Sequence, residues 1–158
     1  MKNRITSKTL FFITAAAVAS QVPLSGIGVG IMAGDPTGIS IKSWINDKTA
    51  IDGGVGWSFS GEDSFQMHAD YLFHNFEILE TATMKGSLPL YYGIGGRFRY
   101  EEDDGGGDSV FGVRVPIGVS YIFPESPIDV FAEIVPILDL IPDTEIELNA
   151  AVGIRYYF

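Results

Sequence analysis

The chain has 158 residues, is 46% hydrophobic with a mean hydropathy of +0.21, and carries 20 Asp+Glu against 10 Lys+Arg, a formal net charge of −10. So acidic a balance argues against nucleic-acid binding, which needs cations to neutralise phosphates, and the absence of cysteine excludes disulfide frameworks and thiolate metal sites. Beyond the first twenty residues no stretch reaches the ~18 consecutive apolar residues of a spanning helix, so the apolar residues either build a soluble core or recur at a spacing other than helical.

The first element is an address. Lys2, Arg4 and Lys8 precede an apolar run from Thr9 to Val18, and Ala17-Val18-Ala19 has the small-x-small pattern of a signal-peptidase site. This predicts a secretory signal over residues 1–19 and one domain over 20–158. Losing three basic residues and no acidic one moves the formal charge from −10 to −13. No cysteine follows the cut, so no lipoprotein anchor is expected, and an exported chain without disulfides draws its stability from the fold alone.

From there apolar residues alternate with glycine and polar ones, the period-two pattern of β-strands with two distinct faces. Ile27, Val29, Ile31 and Ala33 face one way and Gly26, Gly28, Gly30 and Met32 the other, up to a turn at Asp35-Pro36-Thr37-Gly38. Ile39, Ile41 and Ile45 form a second strand, with Trp44 on its polar side. Ile51, Val55, Trp57 and Phe59 mark a third, and Phe65, Met67, Ala69, Tyr71 and Phe73 a fourth. A longer connection spans roughly Phe76 to Ser87. Tyr92, Ile94, Phe98 and Tyr100 mark a fifth strand, which ends at an acidic loop from Glu101 to Asp108. Phe111 to Phe123 alternates as a sixth strand, Ile128 to Leu138 as a seventh, and Ile146 to Phe158 as an eighth. Pro116 and Pro136 fall inside the sixth and seventh, where a missing N–H predicts bulges or shortened pairing.

Alternation alone does not say which face looks outward. The apolar parity carries several bulky side chains per strand and no charge, too much volume for the interior of a closed eight-strand barrel. The other parity mixes glycine with charges of both signs, which suits a narrow polar lumen. Trp57, Phe59, Phe65, Phe98, Tyr100 and Phe111 fall near one rim and Phe73, Tyr92, Tyr121, Phe123, Tyr156 and Phe158 near the other, with aliphatics between. Two aromatic belts flanking an aliphatic band are the mark of lipid exposure. The expected fold is therefore all-β, an eight-stranded antiparallel up-and-down transmembrane β-barrel.

The last strand, Val152-Gly153-Ile154-Arg155-Tyr156-Tyr157-Phe158, resembles the C-terminal signature by which the barrel-assembly machinery recognises outer-membrane proteins, with Ile154, Tyr156 and Phe158 as the assembly signal. The chain from residue 20 onward is similar to the small eight-stranded OmpA/OmpX-like barrels. Gly34-Asp35-Pro36-Thr37-Gly38, the segment Leu88 to Arg97, and Asp139-Leu140-Ile141-Pro142 resemble segments of an uncharacterised outer-membrane barrel family of diderm bacteria. The resemblance implies location in the cell outer membrane of a Gram-negative envelope and contact with outer-membrane lipid and lipopolysaccharide. It implies no activity.

The polar parity gathers Lys42, Arg97, Arg99, Arg114 and Arg155 with Asp52, Asp70, Asp129, Glu133, Asp139 and Glu147, and adds His68. Charges in so narrow a lumen are expected to be paired, because unpaired ones are strongly destabilising. A salt-bridged plug is favoured over a narrow porin-like ion pathway. His68 and His74 are six residues apart on one strand, ~20 Å, too far to share a metal, and His68 pairs better with Asp70. Ser58 and Ser120 are the lumen candidates for a nucleophile, but nothing supports a hydrolytic dyad, so a lipid-modifying enzyme is the least favoured reading. Gly28-Val29-Gly30-Ile31-Met32-Ala33 matches a dinucleotide fingerprint formally, but a turn and a strand follow where a helix is required. The glycines are better explained as clearance for bulky lumen neighbours. No catalytic residue, metal ligand or cofactor is implied. The expected role is non-catalytic, either structural in the envelope or presenting acidic loops to an extracellular partner.

Overall fold

A computed structural model describes residues 24–58, 64–103 and 105–158. The predicted signal over 1–19 lies outside them, as do Phe59, Glu62 and Asp63. Nine antiparallel strands follow in chain order: β1 (Ile27–Gly34), β2 (Thr37–Trp44), β3 (Thr49–Ser58), β4 (Ser64–Asn75), β5 (Leu90–Asp103), β6 (Gly106–Arg114), β7 (Ile117–Ile122), β8 (Ile128–Ile141) and β9 (Glu145–Tyr157). Each pairs with its neighbours, and β1 closes on β9 from Gly28 opposite Tyr157 to Gly34 opposite Ala151. Closure leaves no free edge, so the backbone groups are satisfied between strands around the ring.

The ring has eight staves, because β6 and β7 are one stave interrupted at Val115-Pro116. On the β5 side, Gly95 faces Arg114 and Tyr92 faces Ile117. On the β8 side, Ile137 faces Arg114 and Ile134 faces Ile117. Both sides keep one register across the gap. The prolines therefore shorten the pairing without bulging it, which corrects half of the sequence expectation. Gly93 N–H donates to Pro116 O at 3.0 Å and Val115 N–H to Pro136 O at 2.9 Å. Each proline accepts its half of a reciprocal pair and forfeits the other half. The bulge lies elsewhere, at Leu140, since Phe111 faces Ile141 while Gly112 faces Asp139.

A second correction concerns the acidic segment. Glu101 to Asp108 is not a loop: β5 runs to Asp103 and β6 starts at Gly106, with Glu101 opposite Asp108 and Glu102 opposite Gly107. Gly106 takes a φ of 145°, open to glycine alone, and this permits the tight reversal.

One end of the barrel, here the near end, holds Leu24, Phe158 and the connections at 45–48, 76–89 and 123–127. The far end holds the short connections after β1, β5 and β8. The long connection, Phe76 to Pro89, thus sits at the near end. Its last residues rejoin the sheet, with Ser87 and Ile122 exchanging N–H···O bonds of 3.1 and 2.8 Å.

The polarity is that of a barrel built for lipid. Ile31, Ile94, Val152 and their neighbours are exposed on the outer surface, while Lys42, Asp129, Arg114 and Arg155 are buried inside. The continuous apolar exterior far exceeds the ~300–600 Å² of the largest apolar patch on a typical soluble monomer. Near-end rings form close outward pairs, Phe73 with Tyr92 at 5.8 Å, Tyr121 with Phe123 at 4.9 Å and Tyr156 with Phe158 at 4.9 Å. At the far end, Trp57 meets Phe65 at 6.0 Å and Phe98 meets Phe111 at 5.0 Å. That far belt is an arc over β3–β6, and β8 and β9 present Leu138, Leu140, Ile146 and Leu148 instead.

Val152, exposed between the two ends of β9, tests the sidedness. Val152→Arg is expected to lower stability in phospholipid vesicles by about 2–4 kcal/mol, the cost of a cation near the bilayer midplane. An unchanged denaturant midpoint would contradict a lipid-facing position.

Candidate functional site

The chemistry lies in the lumen, and alternation puts it there. On each strand the residues between the lipid-facing ones point inward, so all twelve predicted network residues are on the inner face, buried or half-buried. They form three groups along the axis. In the first, on the near-end side, Arg155 of β9 reaches past β1 and β2 to bond Asp52 of β3, and its Nε donates to Asp129 Oδ1 at 3.0 Å. Ser40 Oγ lies 3.3 Å from the same guanidinium, and Tyr157 O–H donates to Asp129 at 2.9 Å. In the second group Arg114 Nε lies 3.0 Å from Asp70 Oδ2 and its Nη2 lies 3.4 Å from Glu133, which accepts from Tyr91 O–H at 2.8 Å. In the third, toward the far end, Arg97 binds Asp139 at 2.5 Å and Glu147 at 2.8 Å. Arg99 binds Glu147 and Glu101, each at 2.8 Å.

Two predicted residues behave differently from expectation. Lys42 has no carboxylate partner of its own among the described residues: Nζ donates to His74 Nε2 at 2.7 Å and sits over the rings of Trp44 at 4.6 Å and Tyr91 at 5.3 Å. The lone pair of a neutral imidazole and two ring faces replace the missing anion. His74 Nδ1 lies 3.3 Å from Lys48 O, which makes Nδ1 the protonated nitrogen and leaves Nε2 free to accept. His68, paired with Asp70 in the sequence reading, has Nε2 3.8 Å from Asp52 instead, while Asp70 is held by Arg114.

Leu72, Phe131, Val135 and Ile137 escaped the sequence reading because they are apolar on the polar parity, where Met32 was already placed. Met32, Leu72, Tyr91 and Phe131 cluster inside, and the Arg155 guanidinium lies 4.1 Å from the centre of the Phe131 ring. Val135 and Ile137 point inward beside them. At the near end Leu24, Ile122 and Tyr157 pack with Trp44 and Phe76 as an apolar stopper. This explains Trp44, whose place on the polar parity looked anomalous. Parity was the available signal, since each of the strand residues alternates correctly with its lipid-facing neighbours.

The inward glycines sit directly opposite bulky partners. Gly28 pairs with Tyr157, Gly54 with His68, Gly93 with Leu72, Gly95 with Asp70, Gly118 with Tyr91 and Gly153 with Phe131. A Cβ on any of these six would fall within 2.7 Å of the partner's side chain. The large lumen side chains therefore lie flat over a strand that yields them the space of a missing side chain, and this allows a narrow barrel to be filled.

Ser120 is buried and its Oγ has no hydrogen-bond partner among the described residues; the Ser58 side chain lies outside them. Ile154, Tyr156 and Phe158 all face outward and are exposed.

No family model matches the chain, and no curated protein matches it in sequence. Two solved structures resemble it in fold. The crystal structure of the N-terminal β-barrel domain of Pseudomonas aeruginosa OprF aligns with a TM-score of 0.60 at 15% identity, over 84% of this chain and 95% of that one. The chain has the fold of that β-barrel domain. The crystal structure of Neisserial surface protein A (NspA) aligns at 16% identity with a TM-score of 0.48, over 84% of this chain and 93% of that one. The small eight-stranded up-and-down barrel implied by the OmpA/OmpX resemblance is thus the observed architecture.

Proposed function

We propose that this protein is an integral outer-membrane barrel with a closed lumen and a non-catalytic role in the envelope. The observation that carries the reading is the set of ties crossing the lumen. Arg155 joins β9 to β3, Arg114 joins β6 to β4, and Arg97 joins β5 to β9. A conducting pore of eight strands would have to break these ties in a lumen just wide enough to be filled by side chains. The apolar stopper of Leu24, Ile122 and Tyr157 adds a second barrier at the near end. The apolar exterior, the aromatic pairs and the outward Ile154, Tyr156 and Phe158 support assembly into a lipid bilayer by the barrel-assembly machinery, with the near end toward the periplasm.

On that orientation the far rim faces the outside. Glu102, Asp108, Asp143 and Glu145 are exposed there with no exposed Lys or Arg among the described residues, whereas the near end exposes Lys48 and Lys85 beside Asp47, Glu77, Glu80 and Glu125. An acidic rim suits a cationic surface or cation-bridged lipopolysaccharide, and this is the face on which an extracellular partner would dock.

Conductance of the folded protein in a planar bilayer tests the closed lumen. The expected result is no discrete steps above the bare membrane. Reproducible unitary steps would overturn the plug in favour of a narrow channel.

A further inference from the structure

Three buried groups near the middle of the lumen are arranged like a ligand set. Asp52 on β3 lies directly opposite Asp70 on β4, and His68 is two residues further along β4, opposite Gly54. Each offers a ligand atom, and those atoms lie within 4.8 Å of one another. All three side chains are more than nine-tenths buried.

Their hydrogen bonding is incomplete. Arg155 takes Asp52 through Oδ2, and Arg114 takes Asp70 through Oδ2. Asp70 Oδ1 and His68 Nδ1 have no hydrogen-bond partner among the described residues, and His68 Nε2 is 3.8 Å from Asp52 Oδ1, beyond a hydrogen bond. Buried polar atoms left without partners are costly and uncommon. The charge around them is unbalanced too. Arg155 serves both Asp52 and Asp129, and Arg114 serves both Asp70 and Glu133. Four carboxylates thus share two guanidiniums, and the nearby ammonium, Lys42, is bonded to His74.

We propose that Asp52, His68 and Asp70 bind one divalent cation inside the barrel. One imidazole nitrogen and two carboxylate oxygens suit a borderline ion such as Zn²⁺, with solvent completing the coordination. The cation supplies a ligand-binding charge at the Asp52, His68 and Asp70 atoms that face one another and the positive charge that the carboxylates lack. Arg114 and Arg155 orient the two carboxylates from behind. The facing glycines hold the ligands in place: a Cβ on Gly54 would lie 2.6 Å from His68 Cε1, and one on Gly95 would lie 1.9 Å from Asp70 Oδ1. The Lys42–His74 contact on one side and the Arg97–Asp139–Glu147 group on the other enclose the site, so the ion enters during folding and exchanges slowly. The site rests on lumen geometry and is independent of whether the barrel conducts.

The test is to fold the chain in detergent with Zn²⁺ or Co²⁺, strip free and surface metal with a chelator, and measure metal content and the visible Co²⁺ absorption. The expected result is about one retained ion per chain, lost in His68→Gln and in Asp70→Asn but kept in Asp139→Asn and in Glu102→Gln. A chain that retains no metal overturns the site, as does retention unaltered by His68→Gln, which would mean binding to surface acids. Should His68→Gln fail to fold, X-ray absorption on the zinc-loaded wild type decides, since a shell without imidazole scattering overturns the proposal.

Discussion

Arg155→Met is expected to destabilise the barrel by about 3–5 kcal/mol, the cost of removing one partner from a buried ionic group and stranding the rest. Arg155 is almost wholly buried and is the shared cation of Asp52 and Asp129. Without it two buried carboxylates lose their shared cation, and Tyr157 O–H is left to serve Asp129 alone. Unfolding in urea, followed by the fluorescence of Trp44 and Trp57, measures the loss. The triple change Arg155→Met with Asp52→Asn and Asp129→Asn is expected to recover most of it, because neutral amides no longer need a counter-charge. A triple variant no more stable than Arg155→Met would place the effect in packing against Phe131, which the guanidinium covers at 4.1 Å, rather than in charge.

Gly30→Val is expected to prevent closure. A Cβ at Gly30 would fall 1.8 Å from Ile154 O and 2.7 Å from Arg155 Cα, both backbone atoms of β9 that cannot rotate away. Gly30 pairs with Arg155 in the seam where the first stave meets the last, so the clash opens the ring at the one junction that makes it a barrel. The penalty exceeds the ~1–3 kcal/mol of ordinary overpacking, in which side chains yield. On a denaturing gel the variant should migrate identically boiled and unboiled, whereas the parent shifts. Gly54→Ala is the contrast, since the atoms nearest its added methyl are His68 Cε1 and Met32 Cε. It should fold and keep the gel shift, and loss of the shift there would show that the lumen tolerates no added volume at all.

Much of this was legible from residue order. Alternation located the staves and gathered every member of the charge network on one face, and side-chain volume, charge and the two aromatic belts told the lipid face from the lumen face. The misreadings share one physical origin. Pro116 and Pro136 signalled bulges or shortened pairing, and only the shortening is seen, because the register holds on both flanks. The acidic run from Glu101 to Asp108 looked like a solvated loop because like charges repel, but Arg99 binds Glu101 and glycines permit a tight reversal, so the strands continue. Lys42 was expected to find a carboxylate and found His74, Trp44 and Tyr91.

Period-two alternation is a local property, set by the pleat of each strand, and residue order alone therefore carries strand identity, the inside and outside faces and the membrane character of this chain. Who meets whom across the lumen is not local. It depends on the stagger with which eight staves close, which sets Arg155 beside Asp52, 103 positions away in the sequence. Parity can name the groups inside the barrel. Closure alone selects their partners, because a shift in register between any two staves would turn the same inward residues toward different neighbours.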